Sequence, residues 1–329
     1  MEYKTFLFSF FREGILKNKD LELNKIYHDD WMNNQLPDKS VQLIIADPPY
    51  FETKGDFDFI WETFEDYLID VEKWAVECKR LLADNGTLFW YGDAKNIAYS
   101  QIIFDKHFNL LNSVVWENTN NYKQQIRFNP DLRTFAPLTE RLLMYDKRGQ
   151  KTGGDPFSKY LKIEFKNAKI TNREIAQLFP SRTGGLTGCV SNWLNGDNVI
   201  TEKQYLIIKK YLKFDYLKKP YEELRKEYEE LRRPFNNERF YGDVIRLPNH
   251  KTVNHDHDTV KPEKLTRELI LISSRANDLI LVPFAGSGTE VAMAIKEGRN
   301  AIGFDIEKKY VERGNKRTDI IKSQPSLFF

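Results

Sequence analysis

One stretch near the carboxyl end leaves this chain few choices of fold. Leu279-Ile280-Leu281-Val282 is a short apolar run that reads as a buried strand, and it opens into Pro283-Phe284-Ala285-Gly286-Ser287-Gly288-Thr289. A helical pattern through Ala292, Ala294 and Ile295 follows. Strand, glycine loop and helix make the βα unit that binds nucleotides, because glycines let the backbone come close to a ligand. About seventeen residues beyond Gly288, Ala301-Ile302-Gly303-Phe304 forms another short strand ending in Asp305, where an acidic residue takes ribose hydroxyls. The loop lacks the Gly-Lys-Ser/Thr ending of a triphosphate site, and Val291 stands where a dinucleotide fingerprint has its third glycine.

A second buried-strand candidate, Val41-Gln42-Leu43-Ile44-Ile45-Ala46, delivers Asp47-Pro48-Pro49-Tyr50 to a sheet edge. Two prolines fix φ, cannot continue a ladder and hold their neighbours extended, so the turn is stiff and open. Asp47 offers acceptor oxygens, the proline segment offers carbonyls without competing amide donors, and Tyr50 offers a flat face. Together they suit a planar ring carrying an exocyclic amine. Asp-Pro-Pro is also an ordinary turn former, and it is the pairing with the glycine loop that favours function.

The two motifs in this order resemble the beta class of DNA amino-methyltransferases, in which the catalytic motif precedes the cofactor motif and the cofactor is S-adenosylmethionine. The resemblance extends to Leu36-Pro37-Asp38-Lys39-Ser40-Val41, to Leu81 through Asp93, and to His257-Asp258-Thr259-Val260-Lys261-Pro262, which looks like the family's His-Pro-Thr-Gln-Lys-Pro segment. One departure is Val282, where the family usually has Asp. A carboxylate lost there weakens contact with the cofactor's methionine ammonium group, unless another acid substitutes.

The resemblance implies an α/β fold, a Rossmann-like class I methyltransferase sheet with an inserted, mainly helical target-recognition region. It divides the chain into a catalytic part (1–150), the insertion (151–239), a cofactor-binding part (240–318) and a tail (319–329). It makes Asp47, Pro48, Pro49 and Tyr50 the catalytic turn. Asp30 (with Asp29 the competing choice), Asp47, Lys261, Phe284, Gly286, Gly288, Thr289 and Asp305 become the cofactor residues. The expected reaction moves a methyl group to the N6 amine of an adenine flipped out of double-stranded DNA. Cytosine-N4 members more often begin the tetrapeptide with Ser, so Asp47 favours adenine. Cytosine-N4 methylation and a catalytically silent DNA-binding regulator stay open as alternatives.

Charge is unevenly spread. Residues 1–120 carry 12 basic and 21 acidic side chains, net −9; residues 121–250 carry 25 and 16, net +9; residues 251–329 carry 13 and 11. The middle of the chain is where a polyanion would dock. Within it, Lys123, Arg127 and Arg133 belong to a polar loop expected to line the slot of a displaced base or to hold its phosphates. In the insertion, Thr171 and Glu174 form a capping-box pattern, a Thr183-Gly184-Gly185 turn leads to a helix over Leu186–Leu194, and Asn195-Gly196 stops it. This resembles a phage-repressor helix-turn-helix, with Thr187, Ser191 and Asn192 reaching base edges, Arg182 on phosphate, and Ile175, Leu178 and Trp193 as its small core. Tyr221–Arg233 pairs opposite charges three and four apart, the mark of an exposed helix, expected to bridge two modules, with a clamp on DNA as the alternative.

Other helices and strands are expected over 62–82, 87–91 (entered through an Asn85-Gly86 turn), 111–116, 141–145 and 241–247. The chain carries no apolar run near the ~18 residues of a membrane span, and its first twelve residues lack a cleavage site, so a cytoplasmic protein is expected; the resemblance implies a bacterial or phage-encoded one associated with the nucleoid. Cys78 and Cys189 lack metal-ligand spacing, and His250, His255 and His257 read as loop, so no metal is expected. The ending Gln324-Pro325-Ser326-Leu327-Phe328-Phe329 is similar to the peptide by which bacterial replication proteins dock on the sliding clamp, with Gln324, Leu327 and Phe328 as anchors. Dimers are common in the resembling class, which makes a homodimer an expectation by analogy.

Overall fold

The computed structural model describes residues 21–52, 60–119, 133, 135, 138–147, 155–239, 241–248 and 261–323. The chain divides into two compact units, Met1–Arg148 with Pro234–Phe329, and Gly149–Arg233.

The first unit is built on one sheet. Its strands are β1 (Lys25–His28), β2 (Val41–Ala46), β3 (Leu82–Gly92), β4 (Phe108–Asn118), β5 (Thr139–Lys147), β6 (Val244–Leu247), β7 (Leu279–Val282) and β8 (Asn300–Asp305), in the spatial order β1-β8-β7-β2-β3-β5-β4-β6. β5 runs against both of its neighbours, and every other pairing is parallel. Alternate side chains feed two cores, as in a sheet covered on both faces. Leu43, Ile45, Phe89, Tyr91, Ile280 and Val282 meet the helices Glu263–Ser273, Thr289–Lys296 and Lys308–Ser323. Ile44, Ala46, Leu88, Trp90, Leu281 and Ile302 meet Phe64–Leu81 and Ile97–Phe104.

The helix Phe64–Leu81 shows why this sequence folds locally as it does. Thr63 caps it by accepting from the Asp66 amide, Glu65 and Asp66 occupy its first turn, and Lys79 and Arg80 its last, all matched to the helix dipole. Tyr67, Val71, Trp74, Ala75, Cys78 and Leu81 are its buried stripe. The expected turn at Asn85-Gly86 is corrected: β3 already begins at Leu82, and the register jumps from Val41↔Leu82 to Leu43↔Thr87. The two residues therefore lie in a bulge of one long strand, held open by pairing with β2. The last helix continues through Ser323, past the expected start of the tail at 319.

The second unit has a helical core of its own, made by Phe157, Leu161, Phe165, Ile175, Val190, Trp193, Leu194, Tyr205 and Leu224. Thr171 and Glu174 form the expected capping box on Asn172–Ala176, and Gly196, with φ of 77°, ends Cys189–Asn195. Two expectations are corrected. The supposed recognition helix starts at Cys189, not Leu186, and the chain from Gln177 to Gly188 between the two helices is far longer than the roughly three- to four-residue turn of a helix-turn-helix. Tyr221–Leu231 is not a bare bridge: Leu224 is buried, and Tyr221 and Tyr228 pack on this unit's core. Its apolar stripe faces the unit's own core, while Arg225 and Glu229 pair on its surface.

Candidate active site at the carboxyl edge of the sheet

Parallel register brings the motifs together. Ile44 lies opposite Leu281, Val282 opposite Gly303, and His28 opposite Asp305. Asp47, the Pro283–Gly288 loop, Asp305 and the Asp29-Asp30 pair therefore all leave the same edge from four neighbouring strands. In an open α/β sheet, ligands bind beyond this edge.

Asp47 is held from two sides. The Tyr50 hydroxyl donates to Asp47 Oδ1 at 2.7 Å, and Lys261 Nζ lies 2.9 Å from Asp47 Oδ2. Lys261 also lies 2.9 Å from Glu140 Oε2 and sits over the Tyr91 ring at 4.9 Å. Only 6% of Lys261 is exposed. Burial opposes its charge, but Asp47 and Glu140 outweigh burial and hold the ammonium pKa above its ordinary value. The resemblance implies a cofactor role for Lys261; in the structure it is the cation shared by Asp47 and Glu140. Tyr50 is 8% exposed, so its ring is a wall of the core and not an open face, and burial followed by Asp47 pushes its pKa well up. Pro48 is buried and Pro49 half-buried.

At the glycine loop, Asp305 closes the turn. Its two carboxylate oxygens accept from the Gly286 amide at 2.7 Å and the Glu307 amide at 2.8 Å. Burial raises its pKa, while these two amides oppose the rise. Each oxygen keeps a further lone pair for a ligand hydroxyl. Thr289 is fully buried; its hydroxyl accepts from Arg317 and pairs with Ser287, so it braces the loop from below. Gly288, with φ of 73°, abuts Gly314 of the last helix, so the glycine is required by packing. Phe284 is half-buried and meets Trp31 and Trp74 edge-on at 5.9 and 5.0 Å. Asp30 is exposed and accepts from the Met32 amide, while Asp29 accepts from Asn33.

Of the expected DNA contacts, Lys123 and Arg127 lie outside the described residues, as do His257, Gln324, Leu327 and Phe328. Arg133, Arg182 and Ser191 are exposed, and Asn192 is half-buried. Thr187 is a correction: it precedes the helix, and its hydroxyl donates to the Phe179 carbonyl at 3.0 Å, so it is spent on local structure.

A family model described as DNA methylase matches residues 41–316. The chain belongs to this DNA methylase family. The match spans both strand-end motifs and the segment between them. Among relatives, the DNA adenine methyltransferase YhdJ of Escherichia coli strain K12 is 27% identical over 306 residues, covering 91% of this chain and 84% of the relative. The type II methyltransferase M.HinfI of Haemophilus influenzae is 28% identical over 322 residues, covering 92% and 70%. Two solved structures share the fold. The M1.HpyAVI–SAM complex has a TM-score of 0.51 at 19% identity, covering 89% of this chain and 98% of that one. The cytosine-N4-specific PvuII DNA methyltransferase has a TM-score of 0.53 at 13% identity, covering 93% and 94%.

Three side chains of this methylase were missed by reading the sequence: Glu140, Tyr91 and Glu290. Glu140 stands just before the expected strand 141–145, and Tyr91 ends an apolar strand, so both look like ordinary edge residues. Glu290 carried a readable signal. It is a charged residue directly before the apolar Val291-Ala292-Met293-Ala294, at a helix start where an acid also suits the dipole.

Proposed function

We propose that this DNA methylase transfers a methyl group from S-adenosylmethionine to the N6 amine of an adenine flipped out of double-stranded DNA. The observation that carries this is the parallel pairing of Ile44 with Leu281, by which the Asp47 turn and the glycine loop leave one edge from adjacent strands. Domain roles follow the same division: the sheet unit holds the reaction, and the Gly149–Arg233 unit reads DNA. The relatives named as adenine methyltransferases support the choice of adenine.

The residues at the edge fit the cofactor. Asp305, Asp29 and Asp30 offer carboxylates for hydroxyls and adenine, and the loop from Gly286 to Gly288 turns its backbone through positive φ. When bound, S-adenosylmethionine supplies a methyl group already activated on a sulfonium. What remains for the chain is alignment and charge handling. Asp47 has a spare lone pair on each oxygen despite Tyr50 and Lys261. It accepts from the target amine together with the Pro48 carbonyl, favouring a nitrogen lone pair aimed at the methyl. Once methylated, the nitrogen loses its proton readily, so Asp47 need not be a strong base. Unstacking the base costs a few kcal/mol, which the contacts of the flipped base at this edge must offset; Tyr50, buried, serves by holding Asp47 in place.

Ser191 and Asn192 on the helix Cys189–Asn195, with Arg182 nearby, are the side chains proposed to meet DNA from the inserted unit, joined by Lys123, Arg127 and Arg133. The tail residues Gln324, Leu327 and Phe328 are proposed to dock on a sliding clamp; deleting 324–329 should abolish clamp binding and spare methylation of short duplexes. A homodimer is the proposed assembly, tested by sedimentation.

The main test is methyl transfer from labelled S-adenosylmethionine to unmethylated double-stranded DNA, with nucleoside analysis, for wild type and Asp47→Ala. Label in N6-methyladenine, lost in the variant, is the expected result. Label in N4-methylcytosine would change the acceptor, and no label despite DNA binding would favour the silent regulator.

A further inference from the structure

The helix behind the glycine loop begins with an acid that the catalytic turn does not use. Glu290 is 5% exposed, and its carboxylate accepts a long bond from Thr266 Oγ1 at 3.4 Å. The charged and titratable groups facing it are Asp47, Lys261 ahead of the helix Glu263–Ser273, Tyr91 on β3, and Arg317 on the last helix. Both cations are committed elsewhere: Lys261 to Asp47 and Glu140, Arg317 to Glu263 and Thr289. Tyr91 is fully buried, and its hydroxyl has no hydrogen-bond partner among the described residues. Its phenol feels the charge of Glu290 ahead of Asp47 and Glu140.

A buried carboxylate held only by a long bond from Thr266 and by its own backbone amide, beside a buried hydroxyl with no partner among the described residues, is under-compensated, which is costly unless a ligand completes the pair. Their shared complement is a small cation with several N–H donors. Val282, 1% exposed at the end of β7, supplies no carboxylate, and its side chain lies in the same core as Tyr91.

We infer that Glu290, together with the Tyr91 hydroxyl, binds the ammonium group on the amino-acid end of S-adenosylmethionine, a role that rests on the cofactor reading above. Burial, followed by the neighbouring Asp47 charge, raises the Glu290 pKa to about 7, as befits an acid whose cation comes with the ligand. Binding the ammonium lowers it again, so cofactor binding below neutral pH releases a proton.

The test is calorimetric titration of the full chain with S-adenosylhomocysteine and with its analogue lacking the amino group, for wild type and Glu290→Gln. In wild type, removing the amine should weaken binding by about tenfold or more, and in the variant by less than about threefold. Wild type should also release a proton on binding S-adenosylhomocysteine about one pH unit below 7, seen by changing the buffer's ionisation enthalpy, whereas the variant should not. Should the glutamine variant fail to fold, Tyr91→Phe removes one hydroxyl and is expected to lessen the amine's contribution. Equal amine penalties in variant and wild type would overturn the inference alone. No binding of S-adenosylhomocysteine by wild type would overturn the cofactor reading along with it.

Discussion

Gly288→Ala should damage the fold more than it disturbs the ligand. Gly288 has φ of 73°, and a Cβ added there would lie 2.8 Å from Gly314 Cα and 2.9 Å from Ile26 Cδ1. Neither neighbour yields easily, since one is helix backbone and Ile26 is buried. The left-handed backbone costs an alanine about 1 kcal/mol, and overpacking against backbone adds about 1–3 kcal/mol. The expected loss is thus about 2–4 kcal/mol, or roughly 3–8 °C in Tm. Urea unfolding followed by tryptophan fluorescence, with Trp116 in the same core as Ile26, reads this as a lower midpoint at unchanged slope. A glycine present only for close ligand approach would behave differently. Stability within about 0.5 kcal/mol of wild type, with weakened S-adenosylhomocysteine binding, would refute the packing argument.

Three further outcomes follow from the same contacts. Lys261→Met removes the cation shared by Asp47 and Glu140; a loss of about 3–5 kcal/mol in denaturant unfolding is expected, with methyl transfer down by about 10²-fold or more. Glu290 has a folded pKa of about 7 against about 4.3 in an unfolded chain. A raised carboxyl contributes stability that is full below the unfolded value and is lost as pH rises through 7. Wild type should therefore lose about 3 kcal/mol between those limits relative to Glu290→Gln, and parallel pH profiles for the two proteins would contradict this. Thr201 and Gln204 form a capping box on Glu202–Tyr211, so Thr201→Ala should cost about 1 kcal/mol, seen as faster amide exchange in that helix.

Local chemistry was readable where the determinant lies within a few residues. Thr171 with Glu174 and Asn195 before Gly196 act on their own turns, and both behave as the sequence indicates. The helix-turn-helix resemblance was misleading for the same reason: a short pattern of helix formers does not specify how the Gln177–Gly188 segment between them folds. Asn85-Gly86 carries a turn signal, but β2 pairs with Leu82 before it and Thr87 after it, so the extra residues are absorbed as a bulge within one strand.

By itself, the sequence determined the strand ends and what they present: branched apolar runs must be buried, and prolines and glycines must end them. Asp47, Gly286, Gly288 and Asp305 were identifiable on that ground alone. Only the tertiary structure decided what those residues are tied to. Lys261 joins Asp47 to Glu140 across three distant segments, and Gly288 is required by Gly314. Glu290 and Tyr91 feel one another's charge because β3 and the helix Thr289–Lys296 pack into one core on one face of the sheet. Charge pairing and close contact depend on distance in space, and sheet register sets that distance.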